Sequence, residues 1–582
     1  MATTDHSRKY DLVLVGATGY TGTLTAEHIA LHLPTNLRWA IAARSATKLE
    51  ALAARLKELN PDRLQPAIEV ATPDDKVQFH ALIADAKVCL SVVLYSRIGE
   101  AVIEACIENG TDYVDCAGGP AEIKGWIDNY HEKAQAAGVI LIHCCGIFSA
   151  PQDLLAFLAA RRLAEAYSET TKEVIVSGSE IPPDLSGGSV ESIMHKASMD
   201  PRVVREVEEP WAISPVRGTQ TSAPANIFGI RTDPRLGVMA ACSVGSVQNR
   251  SLVHRTWGLL QGTSAAAAAA AYGYGPNFQY NEYQSVPSAL AGALKVLAAR
   301  LVQAALGLAF LRNLARRYLP APGEGPAPEA AKHYSVRIEA VAVADGPSRP
   351  AHRAYAGFAY PEGPYPATAL FLAHAGASLL YHRRLLGQLT GGCLTPAFLG
   401  DDLARRVQAA GATIETSLFI FSSKTSTFVV GTQRREFLVH KSAFTKLSDH
   451  FDRLMNSSSS EANAKRILLD DVDATVFEAL CKFAYGRDYS APASNVVSQP
   501  LPEGAEDLTM SLEARRAKKI LASNDENDLR HMSVYNLVSS FLDASYRRPS
   551  PGVEFRLPGP GTQQSYLNRL LHFAKVYLSA GD

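Results

Sequence analysis

Three glycines near the N-terminus have the spacing of a phosphate-binding turn. Gly16, Gly19 and Gly22 follow an apolar run at residues 11–15, and a helical pattern begins at Thr21. A glycine turn between a strand and a helix lets a pyrophosphate approach the backbone, where free N–H groups and the positive end of the helix dipole face it. The alternative is an ordinary strand–helix turn, because a glycine triplet alone is weak evidence. Since the strand and the helix patterns are both present, the sequence predicts a dinucleotide site.

A second apolar run, at residues 37–43, ends in polar residues that bear on the choice of dinucleotide. Arg44 and Ser45 follow the run directly, and Lys48 lies one helical turn further on. An acidic residue at this position would bind the ribose hydroxyls of NAD, whereas two cations and a hydroxyl suit the extra phosphate of NADP. The set favours NADPH. The alternative is a solvated basic residue at the end of a strand.

Composition argues against several other classes of site. The 582 residues carry 57 Lys and Arg against 58 Asp and Glu, so no overall charge favours nucleic acid. The 8 cysteines include no Cys-x-x-Cys pair, which predicts free thiols in a reducing, intracellular compartment. His374 and His382 lack a carboxylate or cysteine at ligand spacing, so we expect no metal. The short polar N-terminus does not resemble a signal peptide.

Strand and helix patterns alternate along the first part of the chain. Six apolar runs predict strands at residues 11–15, 37–43, 66–70, 88–93, 113–116 and 139–142. Strands that alternate with helices predict a parallel Rossmann-type sheet within an α/β domain over residues 8–150. Ligands bind beyond the carboxyl ends of such strands. Residues 151–415 are less regular, and they predict an antiparallel-rich α+β second domain for substrate binding or dimerisation.

Residues 288–319 are unusually apolar. The run at residues 296–311 is interrupted only by Arg300 and Gln303, and three arginines follow it. Its clean part is shorter than the roughly 20 residues that span a bilayer. A helix with a basic flank that lies in the membrane interface fits the pattern. A buried core helix or a dimer helix fits it equally well.

Motifs along most of the chain resemble a known family. The matching segments are residues 16–22, 43–49, 109–115, 187–189, 249–255, 274–283, 322–326 and 391–396. Over residues 8–415 the chain is similar to the saccharopine dehydrogenase-like oxidoreductases, a group that includes the trans-acting enoyl reductases of complex-lipid and glycolipid synthesis. The resemblance implies NADPH, a lipid-like substrate and a cytoplasmic location compatible with a membrane or lipid-droplet surface. The cofactor contacts that it implies are Gly16, Ala17, Thr18, Gly19, Tyr20, Thr21, Gly22, Arg44, Ser45, Lys48, Leu94 and Tyr95.

Three segments on the predicted sheet rim differ from the family pattern. Leu94 precedes Tyr95 where the family has Gly-Pro before an aromatic residue, and residues 116–119 replace its Thr-Gly-Glu. The segment at residues 146–153 lacks the first of two acidic residues. The cofactor end is therefore intact while the reaction end is altered. The candidates for the proton donor that a reductase needs are Tyr95, Asp115 and Ser149.

The character of the sequence changes after Glu415. A hairpin pattern that ends at residues 439–441, together with the run at residues 477–485, resembles a fungal-type BTB/POZ domain. We expect this small, mostly helical unit over residues 417–582, with a disordered insert at residues 490–530. The resemblance implies homodimerisation or docking to a cullin-type ubiquitin ligase. The alternative is an artificial joining of two neighbouring genes.

Two functions are compatible with these patterns. The first is an NADPH-dependent oxidoreductase of a lipid-like substrate, since hydride transfer needs no protein nucleophile and the cofactor carries the chemistry. The second is a non-catalytic protein that senses NADPH or acts as a scaffold while its BTB-like unit recruits partners. The altered rim and the added unit favour the second function.

Overall fold

The computed structural model separates into two compact units, Met1–Leu418 and Phe419–Asp582. The residues it describes are 8–178, 185–219, 224–261, 271–321, 323–326, 334–347, 351–383, 389–419, 425–431, 434–440, 466–469, 474, 477 and 481. The disordered insert predicted at residues 490–530 lies outside them.

A parallel sheet opens the first unit. Its strands are β1 (Tyr10–Val15), β2 (Trp39–Ala43), β3 (Ala67–Val70), β4 (Ala86–Ser91), β5 (Asp112–Asp115) and β6 (Ile140–Ile142). The helices that follow these strands are α1 (Tyr20–His32), α2 (Ala46–Leu59), α3 (Lys76–Ala84), α4 (Glu100–Glu108), α5 (Pro120–Ala137) and α6 (Ala150–Tyr167). A seventh strand, Gly392–Leu394, pairs in parallel with β6. The strand order β3-β2-β1-β4-β5-β6 is that of a dinucleotide-binding sheet, so the Rossmann-type prediction is confirmed.

Burial on both faces explains why the strands of this sheet read as continuous apolar runs. In β1, Leu12 and Leu14 join one hydrophobic cluster while Val13 and Val15 join the cluster on the opposite face. Strands that helices cover on both faces read as nearly continuous apolar runs. The carboxyl ends of the strands therefore form the polar rim on which a ligand can lie.

A mixed sheet forms the core of the second domain. Its strands are β7 (Thr171–Gly178), β8 (Ile230–Asp233), β9 (Gly237–Ala240), β10 (Tyr274–Ser285), β11 (Val336–Ala344), β12 (Arg353–Tyr360) and, after the first-sheet strand β13 (Gly392–Leu394), β14 (Thr413–Phe419). The strand order is β14-β12-β11-β7-β10-β9-β8. β7 and β10 are parallel, whereas β9, β11 and β12 pair antiparallel with their described neighbours. The expectation of an antiparallel-rich α+β second domain is confirmed.

Among the described residues, seven helices accompany the second sheet. They are α7 (Gly187–Ser198), α8 (Pro201–Val207), α9 (Ser246–Gln261), α10 (Ala289–Gly307), α11 (Ala309–Ala315), α12 (Pro364–His382) and α13 (Gly400–Ala409). The central helix α12 is buried along most of its length, and it packs against α1 and β4 of the first sheet. The chain then returns to that sheet through β13, which lies outside the predicted range 8–150.

The apolar segment at residues 288–319 forms α10 and α11. Only Gly292 and Val296 of α10 are buried, and no described residue of α11 is. The interpretation as a buried core helix is therefore wrong, because the apolar side chains point outward. Among the described residues, α10 is the one helix that is long and apolar enough to span a bilayer, judged by length and composition.

The described part of the second unit is a small sheet. β15 (Thr425–Val430) and β16 (Arg435–His440) form the predicted antiparallel hairpin, and β17 (Arg466–Leu469) pairs in parallel with β15. The Phe477 ring lies 5.0 Å from that of Phe428 and 5.2 Å from that of Phe437. These aromatic contacts join the residue to the sheet core.

Candidate active site

The glycine turn is built so that two of its positions cannot carry a side chain. Gly16 has a φ of +84°, and an added Cβ would lie 2.2 Å from the carbonyl oxygen of Val92. A Cβ on Gly22 would lie 2.2 Å from the carbonyl oxygen of Gly16. Gly19 precedes α1, and no described side chain caps this helix, so its first N–H groups can bind an anion. The turn therefore fits the pyrophosphate of a dinucleotide.

Two cations stand at the end of β2, beside this turn. The backbone N–H of Gly16 donates to the carbonyl oxygen of Ala42 in β2, and Arg44 is the first residue after that strand. The side chains of Arg44 and Lys48 are exposed, and neither makes a hydrogen bond or ion pair with another described residue. Ser45 caps α2 through its hydroxyl, which accepts from the N–H of Lys48 at 3.5 Å. Two uncommitted cations next to a dinucleotide turn fit the extra phosphate of NADP.

Tyr20 connects the glycine turn with the second domain. Its hydroxyl donates to the carbonyl oxygen of Pro326 at 3.2 Å, and its ring packs edge-on against that of Tyr365 with centroids 5.1 Å apart. A Cβ on Gly325 would lie 2.4 Å from the Tyr20 ring. The ring is thus covered by the segment at residues 323–326, and its role as a cofactor contact stays a prediction.

Tyr95, a candidate proton donor, lies just beyond β4 in a single π-helical turn, Tyr95–Gly99, that follows Leu94. Its hydroxyl donates to the carbonyl oxygen of Ser91 at 2.6 Å and accepts from the N–H of Cys116 at 3.1 Å. Burial raises the pKa of this hydroxyl well above its usual value. The hydroxyl therefore holds the ends of β4 and β5 together, which leaves it poorly placed to give up a proton.

Asp115, the second candidate, is buried at the end of β5. One carboxylate oxygen lies 2.6 Å from Nδ1 of His143, and the other accepts from the N–H groups of Ala117 and Cys144, each at 2.9 Å. Burial alone would lower the pKa of His143, but the charge and hydrogen bond of Asp115 outweigh it and raise the value to about 10. The pair fixes the loop after β6, in which Cys144 has a φ of 65°.

Ser149, the third candidate, opens a buried chain of hydrogen bonds that crosses between the two domains. Its hydroxyl donates to Oδ1 of Asn249 at 2.8 Å, and Nδ2 of Asn249 donates to Oε2 of Glu282 at 2.8 Å. Oε2 also accepts from the Tyr280 hydroxyl at 2.9 Å, and Oε1 accepts from the Ser243 hydroxyl at 2.6 Å. Of the three candidates, Ser149 alone therefore leads to a second acidic group.

That acidic group lines a cavity of about 210 Å³ between the rim of the first sheet and the second sheet. Phe148 and Gln152 contribute the wall from the first domain. Glu282 and Ile338 contribute from strands β10 and β11. Val244 lines this cavity and also a neighbouring one of about 110 Å³ beside Gly118 and Gly119. The arrangement places a pocket of mixed polar and apolar lining next to the strand ends where a dinucleotide's reactive ring is expected.

Two segments of the chain match known domains. Residues 12–142 match the saccharopine dehydrogenase NADP binding domain, and residues 422–510 match the BTB/POZ domain. A putative trans-acting enoyl reductase of Mycobacterium tuberculosis is 32% identical over 432 residues, covering 70% of this chain and 98% of that protein. A trans-acting enoyl reductase of Mycobacterium bovis is 30% identical, with the same coverage of 70% and 98%. The chain belongs to the trans-acting enoyl reductase family. NADP is its cofactor, and its added unit carries a BTB/POZ interaction domain.

A solved structure with a related architecture is the apo saccharopine dehydrogenase (L-Glu forming) of Saccharomyces cerevisiae. It covers 70% of this chain and 99% of its own chain, with 12% identity and a TM-score of 0.39. A likeness at this level adds nothing to the assignment, which rests on the mycobacterial reductases.

Glu282 is a functional candidate that no sequence pattern in this reductase-family chain identifies. It lies in the segment at residues 274–283, one of those that resemble the family. Its partners Ser243 and Asn249 are separated from it by tens of residues, so no local spacing unites them. The one available signal is an acidic residue between aromatic residues in a segment that the family shares.

Proposed function

We propose that this chain is an NADPH-dependent reductase that adds hydrogen across the double bond of a lipid-like enoyl substrate. The observation that carries the proposal is the glycine turn before α1, which lies on the sheet rim that also borders the cavity lined by Glu282. When bound, NADP in its reduced form supplies a hydride. The family relatives, which are named as trans-acting enoyl reductases, support an enoyl substrate.

A turnover assay tests this proposal. The purified full chain is mixed with NADPH and the octenoyl thioester of N-acetylcysteamine, whose double bond adjoins the carbonyl. We expect NADPH fluorescence to fall with this thioester and to stay constant with the saturated octanoyl thioester. NADH in place of NADPH is the second control. Tight NADPH binding without thioester-dependent oxidation would contradict the proposal.

A non-catalytic NADPH sensor is the second candidate function. The observation that favours it is the engagement of two candidate donors in structural bonds, Tyr95 with Ser91 and Asp115 with His143. Isothermal titration of the full chain with NADPH distinguishes a sensor that binds NADPH from a scaffold that does not. Heat of binding without turnover of any enoyl thioester would support a sensor, and an intact fold without heat would leave only a scaffold.

The BTB/POZ domain is proposed to recruit a partner, either a second copy of the chain or a cullin-type ligase. Phe477 is the residue to perturb, because its ring joins Phe428 and Phe437 in the sheet core. We expect Phe477→Ala to lower the mass measured by sedimentation while NADPH binding is retained. An unchanged mass would count against self-association, and a cullin pull-down would then test the other partner.

Helices α10 and α11 are proposed to contact a membrane or lipid-droplet surface from the cytoplasmic side. Exposed side chains along them include Leu290, Leu294, Leu297, Leu301 and Phe310. Residues 288–319 contain five cations and no acidic residue, which suits an anionic lipid surface. We expect Leu297→Asp with Leu301→Asp to abolish flotation with anionic vesicles, and unchanged flotation would refute the contact.

A further inference from the structure

Glu282 and Gln152 line the cavity of about 210 Å³, and the fold has removed both polar side chains from solvent. Glu282 is 8% exposed and Gln152 is 6% exposed. The side-chain amide of Gln152 makes no hydrogen bond to any described residue, and its Oε1 is buried. Leaving a buried amide unpaired destabilises the fold, so proteins retain such groups where a ligand or water completes them. The cavity is thus built to receive a polar group.

Glu282 is held so that one carboxyl oxygen remains the more open of the two. Oε2 accepts from both Asn249 and Tyr280, whereas Oε1 accepts only from the hydroxyl of Ser243, which also lines the cavity. A serine hydroxyl can rotate and accept instead of donate, so Oε1 can carry a proton without breaking the contact. The carboxyl group can therefore exist in either protonation state within the same frame of hydrogen bonds.

No cation within the described residues forms an ion pair with Glu282. The titratable group that contacts it is Tyr280 on its own strand, and the charge of Asp153 on α6 acts on Tyr280. Burial raises the pKa of Glu282, and the hydrogen bonds from Ser243, Asn249 and Tyr280 offset only part of that effect. A raised pKa keeps the proton on a carboxyl group closer to neutral pH, as a general acid requires.

We propose that Glu282 is the proton donor of the reduction and that the cavity binds the thioester end of the substrate. This inference rests on the proposed enoyl reductase function. The substrate's β-carbon accepts the hydride of NADPH, and its α-carbon accepts the proton of Glu282. The products are the saturated thioester, NADP⁺ and the Glu282 carboxylate, which recovers a proton from water. The amide of Gln152 is the donor available to the thioester carbonyl oxygen.

The test compares Glu282→Gln with a matched control, Glu339→Gln. Glu339 lies on β11 of the same sheet and accepts a hydrogen bond from Tyr355 at 2.8 Å, but it does not line the cavity. Turnover is measured with NADPH and the octenoyl thioester across a range of pH. We expect Glu282→Gln to lower kcat by about a hundredfold or more and to remove the fall of kcat at high pH, while the Kd for NADPH stays within about twofold. Glu339→Gln should change none of these.

A second variant covers the case in which Glu282→Gln does not fold. Glu282→Asp keeps an acidic proton on a shorter side chain, so we expect partial activity with the high-pH fall retained at a displaced position. A Gln variant that keeps the wild-type pH profile would overturn the role of Glu282 while the reductase function stands. A wild-type chain that binds NADPH but reduces no thioester would overturn both.

The location of the thioester has its own readout, which does not depend on turnover. Ile338 lines the cavity and belongs to the hydrophobic core beside it. We expect Ile338→Trp to fill the cavity and to weaken binding of the saturated octanoyl thioester by about tenfold in isothermal titration. NADPH binding should be unchanged in the same variant. Equal thioester affinity in the variant and the wild type would refute the assignment of the cavity.

Discussion

Reversing the charge of Arg44 tests the basis of cofactor choice. The side chain is exposed and makes no hydrogen bond or ion pair with another described residue, so Arg44→Asp should change the free energy of unfolding by less than about 0.5 kcal/mol. The bound phosphate of NADPH would lose a charge-assisted hydrogen bond and meet a negative charge instead. We expect a loss of about 1–3 kcal/mol in NADPH binding, which corresponds to a rise of about 5- to 150-fold in Kd.

The assay for this prediction is isothermal titration with NADPH and with NADH. NADH lacks the extra phosphate, so its affinity should change by less than about twofold. Lys57→Asp provides a matched control on the last turn of α2, roughly 18 Å from Ser45 along the helix and beyond the range of unscreened charge. An unchanged ratio of NADPH to NADH affinity in Arg44→Asp would refute the assignment of this residue to the phosphate.

Two further predictions concern stability. Gly16→Ala should destabilise the chain by about 2 kcal/mol or more and abolish NADPH binding, because the φ of +84° and the Val92 carbonyl oxygen exclude a Cβ. The control is Gly125→Ala on α5, whose Cβ would contact nothing within 4 Å. Equal melting temperatures of the two variants would contradict the prediction. The buried His28 and His374, whose Nε2 atoms lie 3.2 Å apart, have pKa values that burial lowers to about 2 and about 3. Below about pH 6.5 these histidines become protonated in the unfolded chain but stay neutral in the folded chain. The free energy of unfolding is therefore highest above that pH, and it falls by up to about 1.4 kcal/mol per group for each pH unit below it. Urea titrations at about pH 7.5 and about pH 5 measure the slope, and a His28→Gln variant with an undiminished slope would refute this cause.

Much of the first domain could be predicted because its signals are local. The helix α2 forms at Ala46–Leu59, since Ser45 supplies a cap and apolar residues recur with helical spacing. The central strands β1 and β2 of the parallel sheet are apolar runs because both of their faces are covered. The glycine turn is equally local, and the steric reasons for Gly16 and Gly22 agree with the pattern that suggested them.

Features that depend on distant parts of the chain could not be predicted in this way. β13 has only three residues, and its partner β6 lies some 250 residues earlier, so no local pattern marks it as part of the first sheet. β10 contains glycine, proline and asparagine, which obscure the alternation expected of a strand. The role of α10 depends on what covers its apolar face, and only the fold shows that its side chains are exposed.

The residues around the expected site of hydride transfer also depend on distant parts of the chain, so local patterns could not identify the proton donor. Sequence reasoning named Tyr95, Asp115 and Ser149 because they follow strands on the predicted rim. The structure commits the side chains of Tyr95 and Asp115 to internal bonds, and it connects Ser149 through Asn249 to Glu282. A buried acid becomes visible as a candidate only when the second sheet brings it to the rim.

The transfer of a labelled hydride tests the central claim most directly. NADPH that carries deuterium at the transferable position is incubated with the full chain and the octenoyl thioester, and the product is analysed by mass spectrometry. The proposed reductase function predicts a saturated thioester with one deuterium on its β-carbon, and a hydrogen from water on its α-carbon. A thioester recovered unsaturated and unlabelled, from a chain shown to bind NADPH, would contradict it.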